Sequence, residues 1–356
     1  MSTILFSSLS IREVTFKNRL VMSPMCQYAA EDGFASDWHL VHYGSRAVGG
    51  AGLILQEATA ISPEGRISPD DMGLWKDEQI APLQRITAFI AAQGAVPGIQ
   101  LAHAGRKAST SSEWKGGGSV VSSDAGGWQT VAPSSVPFRD SDPYPEALTI
   151  EGIHNVIDHF VQATKRALTA GYKVVEIHAA HGYLLHQFLS PLSNRRTDGY
   201  GGIFEHRVRL LLEVVEAVRA VWPAEYPLFV RISATDWVDK GWNGDEAVKL
   251  AALLKERGVD LMDVSSGGLV ATAKIPVAFG YQVGFASRIK HQTGMATGAV
   301  GMLVHPIQME TLLVNGDSDL IVVGREWLRN PYFALDASST LHSDVAWPVQ
   351  YQRAKR

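Results

Sequence analysis

Residues 18–28, Asn18-Arg19-Leu20-Val21-Met22-Ser23-Pro24-Met25-Cys26-Gln27-Tyr28, decide the fold. Leu20–Met22 is a short apolar run of the kind that forms a strand buried on both faces. A doubly wound sheet that binds a dinucleotide would follow its first strand with a glycine-rich fingerprint, because glycine lets the backbone approach a pyrophosphate closely. Here the strand runs into Ser23-Pro24-Met25-Cys26 instead. Further apolar runs follow at Leu53–Leu55, Val96–Leu101, Val174–Ile177, Leu228–Ile232, Leu261–Val264, Ala296–Val300 and Leu320–Val323. Between most of them apolar residues recur with helical period, as in Ile153, Val156, Ile157, Phe160, Val161, Ala167 and Leu168, or Val208, Leu211, Leu212, Val215 and Val218. Gly94, Gly171 and Gly258 each stand just before a strand, where a left-handed residue closes a helix. Strands alternating with helices pair in parallel through right-handed crossovers, and eight of them close a barrel. The prediction is an α/β fold: a (β/α)8 TIM barrel, one domain over 1–356.

The composition agrees. Of 356 residues, 46% are hydrophobic and 19% charged, enough apolar material for a large core. A net charge of −4 offers no basic face to nucleic acid. The one cysteine, Cys26, excludes an internal disulfide, a cysteine-ligated iron–sulfur cluster and a cysteine-rich zinc site. The expected compartment is a reducing cytoplasm. The first ten residues contain Ile4, Leu5 and Phe6 but no basic leader, and no run approaches the roughly 20 apolar residues of a membrane span.

One stretch breaks the rhythm. From His103 to Leu148 the chain is rich in Gly, Ser and Pro, and loops of this length usually serve function. It follows the third strand, so it is expected at the C-terminal mouth of the barrel, as a lid-like excursion over 103–148. Residues 343–356 form a C-terminal tail.

Strand ends are the informative positions, because barrel active sites lie at the C-terminal face. The first strand leads into Ser23, Pro24, Met25 and Cys26, with Tyr28 behind. The second ends in Glu57 and Ala58, and the third in Gln100 followed by His103. The fourth ends in His178-Ala179-Ala180-His181-Gly182-Tyr183. Arg231 sits inside the apolar fifth strand, where a charge must be paired or bound to something. Gly301 and Gly324-Arg325 follow strands seven and eight, the usual phosphate position of such barrels, and Arg325 adds bidentate donors. His178 and His181 read either as a metal pair or as two neutral donors for a developing oxyanion. Tyr183 can give a proton and regain it from water. No zinc motif such as H-E-x-x-H is present, and no metal is expected.

Together these residues resemble the old yellow enzyme family of flavin-dependent ene-reductases, closest to its bacterial YqjM-like branch, which includes the xenobiotic reductases. The carrying segments are residues 18–28, Gln100-Leu101-Ala102-His103-Ala104-Gly105-Arg106-Lys107, His178-Ala179-Ala180-His181-Gly182-Tyr183-Leu184, Ser193-Asn194-Arg195-Arg196-Thr197-Asp198-Gly199-Tyr200-Gly201-Gly202 and Val323-Gly324-Arg325. The resemblance implies FMN at the barrel mouth, reduced by NADPH or NADH. Ser23, Pro24, Met25 and Cys26 would line its ring, with Ala58 and Gln100 at the polar edge. Arg231 would sit beside the N1–C2 carbonyl region, and Gly301, Gly324 and Arg325 would hold the phosphate. His178 and His181 would bind a substrate carbonyl oxygen, Tyr183 would donate a proton, and Tyr28 would position substrate. The branch often ends in an Arg–x–Trp tail that enters a neighbouring subunit's site. Here Arg353 is kept and Lys355 stands at the tryptophan position. That tail implies a homodimer or homotetramer. The implied activity is reduction of an activated alkene. The alternatives are a role mainly in xenobiotic or nitro-compound reduction, and a flavin redox sensor acting through Cys26 without turnover. A metal-dependent barrel hydrolase built on His178 and His181 is the reading from a different class.

Overall fold

Short runs of Val, Ile and Leu pair edge to edge until the sheet closes on itself. The computed structural model describes residues 3–355; Met1, Ser2 and Arg356, which complete the predicted 1–356 span, lie outside the described residues. The strands are β1 (Leu20–Met22), β2 (Leu53–Ala60), β3 (Val96–Ala102), β4 (Val174–Ala179), β5 (Leu228–Ser233), β6 (Leu261–Ser265), β7 (Ala296–Ala299) and β8 (Leu320–Val323). They pair in parallel in chain order, and β8 returns to β1 with Val322 opposite Val21. The expected barrel is therefore present, with each strand within a few residues of its predicted position.

The intervening helices are α1 (Asp37–Val48), α2 (Ile80–Ala92), α3 (Ile150–Thr169), α4 (Arg209–Val221), α5 (Gly244–Glu256), α6 (Val283–Thr293), α7 (Pro306–Val314) and α8 (Phe333–Thr340). In α3 the stripe Ile153, Val156, Phe160, Ala163 and Ala167 is buried. Thr149 opens that helix by accepting from Gly152 N at 3.0 Å. Asn243 opens α5 in the same way, accepting from Asp245 N and Glu246 N. The three helix-closing glycines, Gly94, Gly171 and Gly258, take the expected positive φ.

Two apolar layers result. The outer one lies between strands and helices and holds Phe160, Leu211, Trp242 and Trp327. The inner one fills the lower barrel with Val21, Leu53, Leu55, Val174, Phe229, Leu261 and Leu320. An antiparallel hairpin, Leu9–Ile11 with Val14–Phe16, closes the bottom and drives Phe16 against Phe229, ring centroids 6.4 Å apart. The 103–148 excursion is pinned by Val131–Ala132 pairing with Glu146–Ala147 and by Trp128 Nε1 donating to Glu64 O at 2.8 Å. No helix among the described residues is long and apolar enough to cross a membrane.

Phe16 is fully buried. Phe16→Ala should therefore remove about 3–5 kcal/mol of stability. Denaturant unfolding should show a lower midpoint at unchanged slope; a midpoint within error of the parent would show that the hairpin does not plug the barrel.

Candidate active site

The rim of the barrel carries two adjoining cavities. One, of about 350 Å³, is lined by Ser23, Pro24, Met25, His181, Arg231, Gly301, Gly324 and Arg325. The other, of about 240 Å³, is lined by Tyr28, Lys107 and Tyr183 and roofed by residues of the excursion such as Trp128 and Phe138. Cys26 follows Met25 of the first and precedes Tyr28 of the second. Ala58, Gln100 and His178 lie on strands of the same rim: Ala58 is opposite Gln100, and His178 is opposite Arg231. The predicted site residues thus come together, with three exceptions.

Glu57 is the first. It was expected at the mouth beside Ala58, yet it points away. A bulge in β2 moves the register from Gln56 opposite Ile99 to Ala58 opposite Gln100. An extra residue in one strand reverses the alternation of side chains beyond it. Ala58 therefore shares the inward face of Gln100. Glu57 is buried against α1, accepting from Tyr43 Oη at 2.8 Å and from Gln27 N at 2.6 Å. It clamps the segment that carries Cys26. Burial pushes its carboxyl up to about 8.

Arg353 is the second. It lies on the exposed tail and lines neither cavity of its own chain. Lys355 Nζ, at the position where tryptophan was expected, donates instead to Asp344 Oδ1 at 2.5 Å. His103 also stays out of the site: its Nδ1 accepts from Gly105 N at 3.0 Å and shapes the turn after β3.

The histidine pair is tightly built. The rings of His178 and His181 are 5.2 Å apart, and Tyr183 lies 5.0 Å from His178, both contacts edge-on. Burial, followed by the nearby Arg231 charge, holds both imidazoles well below the usual histidine range. They are neutral. His178 Nδ1 accepts from Ala180 N at 3.3 Å, so its proton is on Nε2. His181 Nε2 is 2.8 Å from Ser265 Oγ. Ser265 Oγ is also 3.4 Å from Gln282 Oε1, which accepts from Ser266 Oγ at 2.6 Å; the ring's N–H is on Nδ1 when Ser265 turns its proton to His181 and on Nε2 when it turns it to Gln282. Burial also keeps the Tyr183 phenol protonated.

The turn that carries them approaches its neighbour backbone to backbone. His181 has φ 57° and Gly182 φ 75°. A Cβ on Gly182 would meet Gly268 O at 2.1 Å, and one on Gly268 would meet His181 Cα at 2.6 Å. Only glycine fits either place. Lys107 Nζ ties the two loops by donating to His181 O at 2.8 Å and Gly268 O at 3.1 Å. Burial lowers this ammonium to about 8, with help from Arg106 and Arg139. From the other side, His186 Nδ1 accepts from Gly182 N at 2.9 Å while its Nε2 lies 2.9 Å from Asp236 Oδ1.

Under the first cavity the buried Arg231 has the partner that its place in an apolar strand demanded. Its Nε is 3.2 Å from Asp263 Oδ2, and its Nη1 donates to Ser23 Oγ at 3.3 Å. Sequence reading passed over Asp263, Glu176, Ser265 and the supporting role of Lys107. Asp263 and Glu176 carried the same signal as Arg231, a charge inside an apolar run. No group of three or more His, Cys, Asp or Glu among the described residues is placed to hold a metal ion. The donor set suits an anionic, planar, polar-edged ligand: Arg231 below, Gly301, Gly324 and Arg325 at one end, Ser23–Met25 along one wall.

Cys26 is half-buried, and its thiol is raised well above the ordinary range by burial and then by Asp71 and Glu57. It is a thiol at neutral pH. Alkylation of Cys26 by iodoacetamide should be slow at pH 7 and rise with pH without an inflection below the ordinary thiol range of about 8.5. As the only cysteine it can be followed by mass spectrometry; a rate plateau near pH 7 would mean that a thiolate is present.

The geometry matches known proteins. The family model described as NADH:flavin oxidoreductase / NADH oxidase, an FMN oxidoreductase family, matches residues 4–344. An NADPH dehydrogenase of Bacillus cytotoxicus is 48% identical over 356 residues, covering 99% of this chain and 97% of that protein. The structure of morphinone reductase in complex with tetrahydroNAD aligns with a TM-score of 0.79 at 27% identity, covering 98% of this chain and 93% of that one. An old yellow enzyme homologue of Zymomonas mobilis aligns with a TM-score of 0.79 at 28% identity, covering 97% and 94%. The chain belongs to the NADH:flavin oxidoreductase / NADH oxidase family, as an oxidoreductase of the old yellow enzyme type that uses FMN and a nicotinamide reductant.

Proposed function

We propose that this enzyme reduces the activated C=C bond of α,β-unsaturated carbonyl or nitro compounds. The observation that carries the reading is the neutral His178–His181 pair at the rim, facing the cavity assigned to FMN and next to Tyr183. Bound FMN would supply the hydride chemistry between NADPH or NADH and the β-carbon of the alkene. In this reading Ser23, Pro24, Met25 and Cys26 line its ring. Ala58 and Gln100 would meet its polar edge, Arg231 would face the N1–C2 carbonyl region, and Gly301, Gly324 and Arg325 would hold its phosphate.

In this reading Ser265 donates to His181 Nε2, and His178 Nε2–H and His181 Nδ1–H hold the carbonyl or nitro oxygen of the substrate. Each neutral ring gives one N–H, and neither can supply a proton without becoming an anion. They act as fixed dipoles whose attraction grows as negative charge builds on that oxygen. Tyr183 is the remaining acid within reach and supplies the proton for the α-carbon. Tyr28, across the second cavity, orients the substrate. Xenobiotic and nitro-compound reduction uses the same donors. A sensor acting through a reactive Cys26 draws no support from a thiol held in its protonated form.

Double replacement of His178 and His181 by Ala should retain FMN and leave its reduction by NADPH largely intact. Alkene reduction should fall by at least the roughly 10²–10³ that one oxyanion donor supplies. Stopped-flow measurement of the two half-reactions separates these effects. The long-wavelength band that phenols produce with oxidised flavin should vanish as well. Native-rate cyclohexenone reduction with the phenol band intact would falsify the oxyanion role.

Arg353 belongs to the reading through a second subunit of a homodimer or homotetramer, since it is exposed and lines neither rim cavity of its own chain. Arg353→Ala should raise the KM for substrate or nicotinamide without changing the unfolding midpoint. Unchanged KM values for both would remove the tail from the site.

A further inference from the structure

Beneath the cavity that Arg231 lines, the barrel interior holds a layer of buried polar groups, of which the proposed chemistry leaves Glu176 and Asp263 unused. Glu176 on β4 is fully buried, as are Gln100 on β3 and Asp263 on β6. Gln100 Nε2 donates to Glu176 Oε1 at 2.8 Å. Glu176 Oε2 and both oxygens of Asp263 are buried without an aligned hydrogen-bond donor. The guanidinium of Arg231 leans to Asp263, 3.2 Å away, and to Ser23. His178, two residues along β4, is neutral and offers no charge. Val21, Leu55, Ala58 and Val322 face the layer from β1, β2 and β8 with nothing titratable.

The layer therefore holds two carboxyl groups and one cation, and Glu176 Oε2 has no donor aimed at it. Ionising both carboxyls would leave a net negative charge in a space without water-like screening, and a buried carboxylate with a single amide donor is strongly disfavoured. A proton on one carboxyl removes the net charge and turns an unpaired oxygen into an O–H group. Asp263 has the guanidinium beside it, so Glu176 is the group left to carry the proton.

We propose that Glu176 is held as a neutral carboxylic acid under the cofactor and is a redox-linked proton site. In alkali, where Glu176 is ionised in the oxidised enzyme, two-electron reduction of the cofactor draws one additional proton from solvent onto its carboxylate. The electrons go to the cofactor and the proton to Glu176 Oε2; no bond to the cofactor is made. Burial and then the Asp263 charge push Glu176 up to about 8, against the opposing pull of Arg231 and Gln100. Negative charge gained above Arg231 on reduction raises it further. Between those two values the reduced enzyme binds one more proton than the oxidised enzyme, and the potential must fall as pH rises. The inference rests on the reading that places the polar edge of FMN at Arg231.

Spectroelectrochemical titration of the holoenzyme from pH 6 to 10 tests it. Wild type and Glu176→Gln, which imitates the neutral acid, should share one potential–pH line up to about pH 8. Above it the wild-type potential should fall by an additional about 30 mV per pH unit, the two-electron value for one extra proton, and the variant should not. Wild type at pH 7 should also show a protonated-carboxyl stretching band in the infrared that Glu176→Gln loses. A variant that tracks wild type throughout overturns the proposal. So does a wild type with no break between pH 7 and 10, an arm that does not depend on the variant folding. Loss of the break in Asp263→Asn with retention in Glu176→Gln also overturns it, by moving the proton to Asp263. Arg231→Met separates the underlying reading: an unchanged potential means that FMN does not lie over Arg231, whereas a shifted potential with Glu176→Gln tracking wild type sinks the Glu176 assignment alone.

Discussion

Parallel pairing carried all the way round the sheet aims the C-terminal ends of β1 to β8 at one rim, and every functional group depends on that closure. Residues as distant in the chain as Ser23 and Arg231 meet within hydrogen-bond distance only because β1 and β5 end on the same side of the same barrel. The lower barrel is filled with side chains and plugged by Phe16, and the two cavities of the site lie at the rim. Polar and charged groups can then be stacked above the apolar layers without opening a path for water through the barrel.

Burial at that rim sets the electrical state of each group. Burial, reinforced by the cations Arg231 and Lys107, depresses both histidines, so the pair offers hydrogen bonds and holds no charge. The phenol of Tyr183 and the thiol of Cys26 are shifted the other way and keep their protons. All these shifts have one leading cause, the cost of charge in a poorly solvated space, and all favour the neutral form. The standing charge at the centre of the rim is left to Arg231 and its partner Asp263.

Precision comes from backbone contacts. The loops after β4 and β6 touch through Gly182 and Gly268, and Lys107 pins the carbonyls of both. His186, backed by Asp236, holds the same turn from beneath through the Gly182 amide. A site assembled from loops of separate strands is thereby fixed nearly as firmly as one built on a single helix, which is what an oriented pair of weak donors requires.

Strand positions, helix stripes, helix-closing glycines and the barrel itself were legible in residue order, because apolar periodicity and turn chemistry are local properties. So was most of the rim: strand ends are predictable once strands are, and Arg231 announced itself as a charge in an apolar run. The direction in which side chains leave a strand is set by pairing with a neighbour. The β2 bulge, which turns Glu57 out to Tyr43 and Ala58 in beside Gln100, is written in the register against β3 and has no mark in β2 alone. The partnership of Arg231 with Asp263, the Glu176–Gln100 contact and the clamp by Lys107 likewise join residues from different strands. Local sequence determined which chemistry could stand at the rim. Only the closed barrel decided which groups touch, and hence which are charged, since burial and partners belong to the assembled layer and to no single segment.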